Sequence, residues 1–157
     1  MGILLRFEAL GTAEDSIKGF YLYINRIKSI TVNSDLPLMI QKIIVAHEIG
    51  HSVSPNSRGI STFRDLSMFE QTNSLEKEAN LFAAELLLED DEVQKELLHD
   101  GDFYCAAARL NVPAELLAFK LRIMRWKGYD IPETPVHVRS NFLKNLVIPD
   151  IDDYHVC

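Results

Sequence analysis

Ile43-Ile44-Val45-Ala46-His47-Glu48-Ile49-Gly50-His51 is the most informative stretch of this chain. On an α-helix, His47 and His51 are four residues apart and project from one face, one turn above the other. Ile40 and Ile44 lie on the same stripe, so the two imidazoles continue a row that is otherwise apolar. Burying two polar rings is costly unless something satisfies them, and a metal ion does so directly.

Glu48 follows the first histidine directly, so its side chain is offset around the helix from the two imidazoles. It cannot share their direction, but it can reach a water molecule held by the metal. This is the H-E-x-x-H arrangement, which supplies two zinc ligands and a general base. The alternative is a core helix whose histidines bond to backbone carbonyls, but that leaves an unpaired carboxylate in an apolar segment at high cost.

A catalytic zinc site needs a third protein ligand, and the segment 74–88 offers one. Read as a helix, this segment places Glu76, Ala79, Asn80 and Ala83 on one face. The alanines allow another helix to approach closely, which a carboxylate needs if it is to reach a metal held elsewhere. We therefore expect Glu76 to be the third ligand and Asn80 to bond to a ligating histidine.

Two other interpretations compete for Glu76. Glu78 is the weaker ligand candidate because it points to a different side of the helix, and both glutamates would otherwise be ordinary solvated residues. Asn73, three residues before Glu76, also fits a capping box. Because Thr72 or Ser74 can cap the helix instead, Glu76 stays assigned to the metal.

Two motifs in matching order and spacing make the chain resemble the ImmA/IrrE family of zinc metallopeptidases. They are His47-Glu48-Ile49-Gly50-His51 and Glu76-Lys77-Glu78-Ala79-Asn80-Leu81-Phe82-Ala83-Ala84-Glu85-Leu86-Leu87, within residues 19–125. The resemblance implies a zincin-like fold, a bound Zn²⁺ and cleavage of a helix-turn-helix transcriptional repressor of a phage or mobile element. It also implies that His47, His51 and Glu76 hold zinc and that Glu48 is the catalytic base.

Length and composition indicate a globular protein of ordinary size. With 157 residues, of which 47% are hydrophobic and 25% charged, we expect one domain over 1–157. Within it we expect a metal core at 1–90, a helical subdomain at 91–128 and an extended tail at 129–157.

Charge and cysteine content narrow the class of partner and the compartment. A net charge of −7 makes direct nucleic-acid binding unlikely, because affinity for phosphate needs clustered cations. Cys105 and Cys157 do not make a disulfide framework, so a reducing cytoplasm is expected. No apolar run approaches the length that spans a membrane.

The residues before the metal motif predict a small antiparallel sheet, which makes the fold class α+β. Residues 3–10 alternate loosely, 19–25 are rich in β-forming residues and 29–33 form their antiparallel partner. One of these strands is expected to hold substrate by pairing it to a sheet edge. The run 33–37 supplies cap residues and then a proline, which predicts the start of the metal-binding helix. Gly50 inside that helix suggests close approach of another backbone.

Beyond the metal core, charge is segregated along the chain. Residues 85–102 contain eight acids against Lys95 and predict a solvated face with a helix starting near Asp91, or a surface that attracts a basic substrate. Residues 103–127 carry a local charge of +4 and predict two short helices joined at 111–113, a helix-turn-helix-like pair. The second helix starts with residues poorly suited to base contacts, so packing or partner binding is favoured over DNA reading.

Some residues with reactive or metal-binding side chains lie outside these patterns. The tail residues Asp152, Asp153, His155 and Cys157 are metal-binding types, but a disordered terminus explains them more simply. Transition-state stabilisers can be named only by chemistry: His99, Tyr104, Tyr21 and Tyr23. The function expected is zinc-dependent cleavage of a protein substrate; the alternative is a non-catalytic, metal-stabilised regulator that binds a repressor or another protein.

Overall fold

The computed structural model describes residues 2–13, 16–54, 71–131 and 133–136, with only the backbone at 71–73 and 100. The elements follow the order β1 (Ile3–Glu8), β2 (Gly19–Ile24), β3 (Ile27–Asn33), α1 (Leu38–Val53), α2 (Gln71–Leu87), α3 (Asp90–Asp100), α4 (Phe103–Arg109) and α5 (Ala114–Trp126). Residues 1–83 and 84–157 form two compact units. The expectation of one domain over 1–157 stays a prediction.

The sheet of the first unit has the strand order β1-β3-β2. β2 pairs antiparallel with β3, with Tyr21 opposite Ile30, as the sequence predicts. β1 pairs parallel with β3, with Leu5 beside Ile30, so the sheet is mixed and not wholly antiparallel. Because β2 occupies one edge of β3, β1 pairs with the other edge. There β1 runs in the same direction as β3. The α+β, zincin-like fold class is confirmed, with this difference in the sheet.

One face of the sheet packs against α1. A Cβ atom at Gly19 would collide with the side chain of Ile44, which shows how closely β2 and the helix approach. Tyr21, two residues on and on the same face, is 4% exposed. The apolar side chains of Phe20, Leu22 and Ile24 share the opposite face, where Ile24 is 58% exposed.

The predicted side-chain cap of α1 is wrong. Pro37 is the N-cap residue, and no side chain bonds to the first turn of the helix. Asn33 is fully buried and used elsewhere: its Oδ1 accepts from the Leu10 and Asp35 backbone N–H groups, and its Nδ2 donates to two loop carbonyls. A side chain that satisfies four backbone groups ties the ends of β1 and β3 together, which competes with capping.

The expectation that Thr72 or Ser74 caps α2 is wrong, and the capping box of Asn73 and Glu76, the alternative set aside for the metal ligand, does not fit either. Because α2 already begins at Gln71, Asn73 lies inside the helix and not at its start. Glu76 is therefore free of the capping role. The sequence predicts a loop or short helix over the segment 59–73, and residues 59–70 of it lie outside the described residues. The tail residues Asp152, Asp153 and His155 also lie outside them.

The second unit contains α3, α4 and α5. α3 starts at Asp90, one residue from the expected position, and its C-cap residue is Gly101, in the left-handed conformation with φ 74°. The two helices predicted around 111–113 are present as α4 and α5. Six consecutive residues of α5, from Leu116 to Leu121, are buried, so this helix belongs to the core of the unit. That burial supports packing over DNA binding as the role of this helix pair. The role itself stays a prediction.

Part of the acidic stretch is engaged in ion pairs within this unit. The Lys120 ammonium lies 2.7 Å from Glu85 and 2.6 Å from Asp90, and only 1% of its side chain is exposed. Lys127 contacts the same two carboxylates at 2.6 and 2.8 Å. Arg109 pairs with Glu96 at 2.7 Å. Among the described residues, no helix is long and apolar enough to cross a membrane.

Candidate metal centre

Two helices of the first unit bring three metal-ligating side chains together. α1 contributes His47 and His51, which are 4% and 7% exposed, and α2 contributes Glu76. The two Nε2 atoms lie 3.0 Å apart. Each is 3.3 Å from one oxygen of the Glu76 carboxylate. The three residues form a group that could hold a metal ion, with all donor atoms within 4.8 Å of one another.

The spacing of these donor atoms suits zinc. Donors bound tetrahedrally at about 2.0–2.1 Å lie about 3.3 Å from one another. The observed separations of 3.0, 3.3 and 3.3 Å match this value closely. Two imidazoles and one carboxylate also form a ligand set found in catalytic zinc sites, where the fourth position is open to water. The donor chemistry and the distances both fit the predicted cofactor.

Asn80 fixes the orientation of His47. Its Oδ1 lies 2.8 Å from His47 Nδ1, and Asn80 itself is 1% exposed. Because an amide oxygen can only accept, the Nδ1 atom of His47 carries the proton and donates it. With the proton of Nδ1 held by Asn80, Nε2, the atom directed towards Glu76 and His51, is the one left to bind a metal. This is the contact that the sequence predicts for Asn80.

The close approach of α1 and α2 depends on two small residues. A Cβ atom at Gly50 would lie 2.9 Å from the Cα and 3.2 Å from the carbonyl oxygen of Ala79. Ala79 and Ala83 are each 1% exposed, on the face of α2 that also bears Asn80. The inference from Gly50 that another backbone approaches here is confirmed. This contact lets the short glutamate side chain reach two histidines on a different helix.

Glu48 lies beside this group, in a position that the sequence only partly indicates. It is 4% exposed, and its carboxylate accepts a hydrogen bond from the backbone N–H of Tyr21 on β2. Burial raises the pKa of Glu48, and Glu76 adds to that rise, although His47 and His51 oppose it. The Tyr21 contact was not predictable, because a backbone donor carries no residue signature.

The charges of the group are strongly coupled. Burial would raise the pKa of Glu76, but the hydrogen bonds from His47 and His51 outweigh it and bring this pKa to about 2. Burial would lower the pKa of His51, but its hydrogen bond to Glu76 outweighs that effect and raises it. Glu76 is therefore an anion at neutral pH, the form in which a carboxylate binds metal.

Glu78, the weaker ligand candidate, is turned away from the histidines. It is exposed, and its Oε2 atom accepts a hydrogen bond of 3.1 Å from the Ser54 hydroxyl. The difference from Glu76 follows from the helix period, since two residues along α2 rotate a side chain by about 200°.

Comparison with known protein families agrees with the geometry. The family described as Peptidase_M78, IrrE N-terminal-like domain, matches residues 1–122. The chain belongs to this family. The resemblance inferred from the two motifs is therefore confirmed, and the IrrE-like match includes the strands, both metal-site helices and most of α5.

A phage protein shows similarity to the IrrE-like chain. The uncharacterized immunity region protein 2 of Bacillus phage phi105 is 34% identical over 104 residues, which are 66% of this chain and 65% of that protein. The chain thus spans just under two thirds of the length of this relative. No solved structure matches the chain. The family is of the metallopeptidase type. The IrrE-like chain has a group of residues, His47, His51 and Glu76, that could hold a metal ion.

Proposed function

We propose that this chain is a zinc-dependent endopeptidase that cleaves a protein substrate, namely a helix-turn-helix repressor of a phage or mobile element. The observation that carries the proposal is the meeting of His47, His51 and Glu76 at donor distances of 3.0 to 3.3 Å, with Glu48 beside them. A purely structural zinc site would use all four positions for protein ligands. Among the residues that the structure describes, three candidate ligands are grouped, and the fourth acid, Glu48, belongs to a different face of α1.

The proposed roles divide between holding the metal and moving a proton. His47, His51 and Glu76 would hold zinc, which when bound polarises a carbonyl and makes water a better nucleophile. Glu48 accepts a proton from the attacking water and passes it to the leaving nitrogen. A raised pKa suits both steps, because the carboxyl group must hold the proton between them. The Tyr21 N–H keeps the carboxylate in place during the transfer.

Strand β2 is the proposed substrate-binding edge. It lies at the end of the strand order, so one side of its backbone faces away from β3. The Tyr21 N–H on this strand bonds to Glu48, which puts the edge next to the proposed base. An extended peptide that pairs with β2 would therefore pass its backbone beside Glu48.

Similarity and surface charge support the proposed substrate class. The relative from phage phi105 is named as an immunity region protein, which is consistent with a repressor as target. The exposed acids Glu89, Asp91 and Glu92 would favour encounter with a basic DNA-binding protein.

The test is cleavage of a helix-turn-helix repressor from the same mobile element by the purified, zinc-loaded chain. Fragments are identified by mass spectrometry, and bound zinc is measured in parallel. Glu48→Gln should retain zinc and lower the cleavage rate by a factor of at least about 10². Glu78→Gln is the matched control, because it makes the same chemical change on the exposed side of α2 and should leave the rate unchanged.

The outcomes separate catalysis from binding. Glu76→Ala should lose zinc and cleavage together. If Glu48→Gln still inactivates the repressor at the normal rate, and the repressor stays intact, the chain is the metal-stabilised binding regulator and the peptidase proposal fails.

A further inference from the structure

Strand β1 forms the sheet edge opposite to β2, and its apolar side chains are uncovered. Leu5 and Phe7 lie beside Ile30 and Val32 of β3, which are 1% and 0% exposed. Leu5 and Phe7 themselves are 43% and 52% exposed. The burial that β3 gains under α1 therefore does not extend to β1.

On one side of the β1 backbone, no strand of the described part of the chain pairs with its N–H and C=O groups. The Glu8 carbonyl accepts from the Ser34 N–H, and the Leu10 N–H donates to the Asn33 side chain, so the even-numbered residues face β3. Hydrogen-bonding groups alternate along a strand. The N–H and C=O groups of Leu5 and Phe7 consequently point away from the sheet, in the direction from which another strand can pair.

The charges on this edge are self-complementary in one register. When two copies of β1 pair antiparallel about a two-fold axis at Phe7, Arg6 of each copy lies opposite Glu8 of the other. These are non-hydrogen-bonded pairs, whose side chains are closest. An axis at Arg6 or at Glu8 would instead place like charges opposite each other. Neither side chain has an ion-pair partner among the residues that the structure describes.

We propose that β1 pairs with β1 of a second copy of this chain, antiparallel about a two-fold axis at Phe7, to form one continuous six-stranded sheet. The two Phe7 rings meet at the axis, and two Arg6–Glu8 ion pairs flank them. The β2 edges remain at the two outer ends of the joined sheet, so pairing leaves them open. This assembly does not depend on the proposed peptidase activity.

The experiment is sedimentation of the full chain over a range of concentrations. The wild-type protein should show a monomer–dimer equilibrium. Arg6→Glu and Glu8→Arg should each weaken it by about tenfold, because each single reversal creates two like-charged contacts across the axis. The double variant Arg6→Glu/Glu8→Arg should recover the wild-type dissociation constant. Lys42→Glu changes the net charge as Arg6→Glu does, on an exposed position of α1, and should have no effect.

A second measurement locates the interface without any substitution. Amide hydrogen exchange at Leu5 and Phe7 should slow as the wild-type concentration rises, since their N–H groups are the ones that become paired. A chain that stays monomeric at every concentration overturns the proposal. So does a dimer in which the double reversal fails to recover affinity, or in which exchange at Leu5 and Phe7 does not change.

Discussion

Gly50 is the residue on which the distance between α1 and α2 depends. A methyl group there would press on the Ala79 backbone at 2.9 Å, and a helix backbone cannot move aside as a flexible side chain can. We expect Gly50→Ala to destabilise the protein by about 1–2 kcal/mol, because overpacking outweighs the gain in helix propensity. Urea denaturation with the metal chelated measures this change.

The matched control for Gly50→Ala is Gly2→Ala. An added Cβ at Gly2 has no atom within 4 Å, so its stability should equal that of the wild type. Zinc affinity should fall in Gly50→Ala as well, since separating the helices withdraws Glu76 from the two imidazoles. An unchanged stability and affinity would show that the helix contact is not needed for the site.

Asn80 offers a second prediction at the scale of single residues. Removing its oxygen in Asn80→Ala frees the His47 ring to rotate and to change tautomer. We expect zinc affinity to fall by about 10–100-fold, as is common when the partner of a ligating histidine is lost. Asn80→Asp keeps an acceptor at this position and should retain most of the affinity. Competition with a chromophoric chelator measures both, and equal affinity in Asn80→Ala would contradict the assigned role.

Single residues also show how far sequence can predict a site. His47 and His51 are predictable because four residues along a helix always return to the same face. Glu76 and Asn80 follow from the same rule applied to a second helix, together with the alanines that allow contact. The Tyr21 N–H at Glu48 was not predictable, since every residue has such a group and only the pairing of strands decides where it points.

At the scale of elements, a hydrogen bond from strand β3 stabilises the last turn of α1. The Lys28 ammonium on β3 donates a hydrogen bond of 2.7 Å to the carbonyl of Ser52, next to His51. A cation at a helix C-terminus satisfies a free carbonyl and interacts favourably with the helix dipole. We expect Lys28→Met, which keeps the aliphatic stem, to lower stability by about 1 kcal/mol.

Lys42→Met is the control for Lys28→Met, because it makes the same change at an exposed lysine of α1 itself. Both variants are compared by urea denaturation in the presence of chelator. Equal stability of the two would mean that the Ser52 contact contributes nothing.

The elements themselves were more predictable than their ends and partners. Each strand and helix expected from periodicity is present, since burial of one face imposes the period directly. The predicted side-chain caps of α1 and of α2 were wrong. Asn33 and Asn73 have the right chemistry for caps. The Asn33 side chain instead hydrogen-bonds to backbone groups of the preceding loop, and α2 begins earlier than expected. The parallel pairing of β1 depends on which edge of β3 is free, and no local pattern records that.

Within the second unit, an ion-pair network makes stability depend on pH. The hydrogen bonds from Lys120 and Lys127 lower the pKa of Asp90 to about 2. Burial opposes the effect at Glu85, but the same lysines still lower its pKa. A lowered pKa in the folded state means that the stabilisation is complete above the pKa of the unfolded carboxyl, about 4. It is lost as the pH falls from there towards 2.

The variant that tests this pH dependence is Asp90→Asn. It should be less stable than the wild type at pH 7, and the difference should shrink as the pH approaches 2–3. Urea denaturation followed by the fluorescence of Trp126, the one tryptophan of the chain, measures it in this unit. Asp91→Asn removes the same charge from an exposed neighbour and should show no such convergence. A pH-independent deficit in Asp90→Asn would argue against the network.

The burial of Lys120 has a consequence for chemical reactivity. Its amine is enclosed by Glu85 and Asp90, whereas 37% of the Lys127 side chain is exposed. Acylating reagents and acetyltransferases need an accessible amine, so in the native protein they can reach Lys127, whereas they can reach Lys120 only during a transient opening. An acetyl group acquired at Lys120 would remove the buried one of the two cations that Glu85 and Asp90 share, and the modified side chain could not return to its place between them.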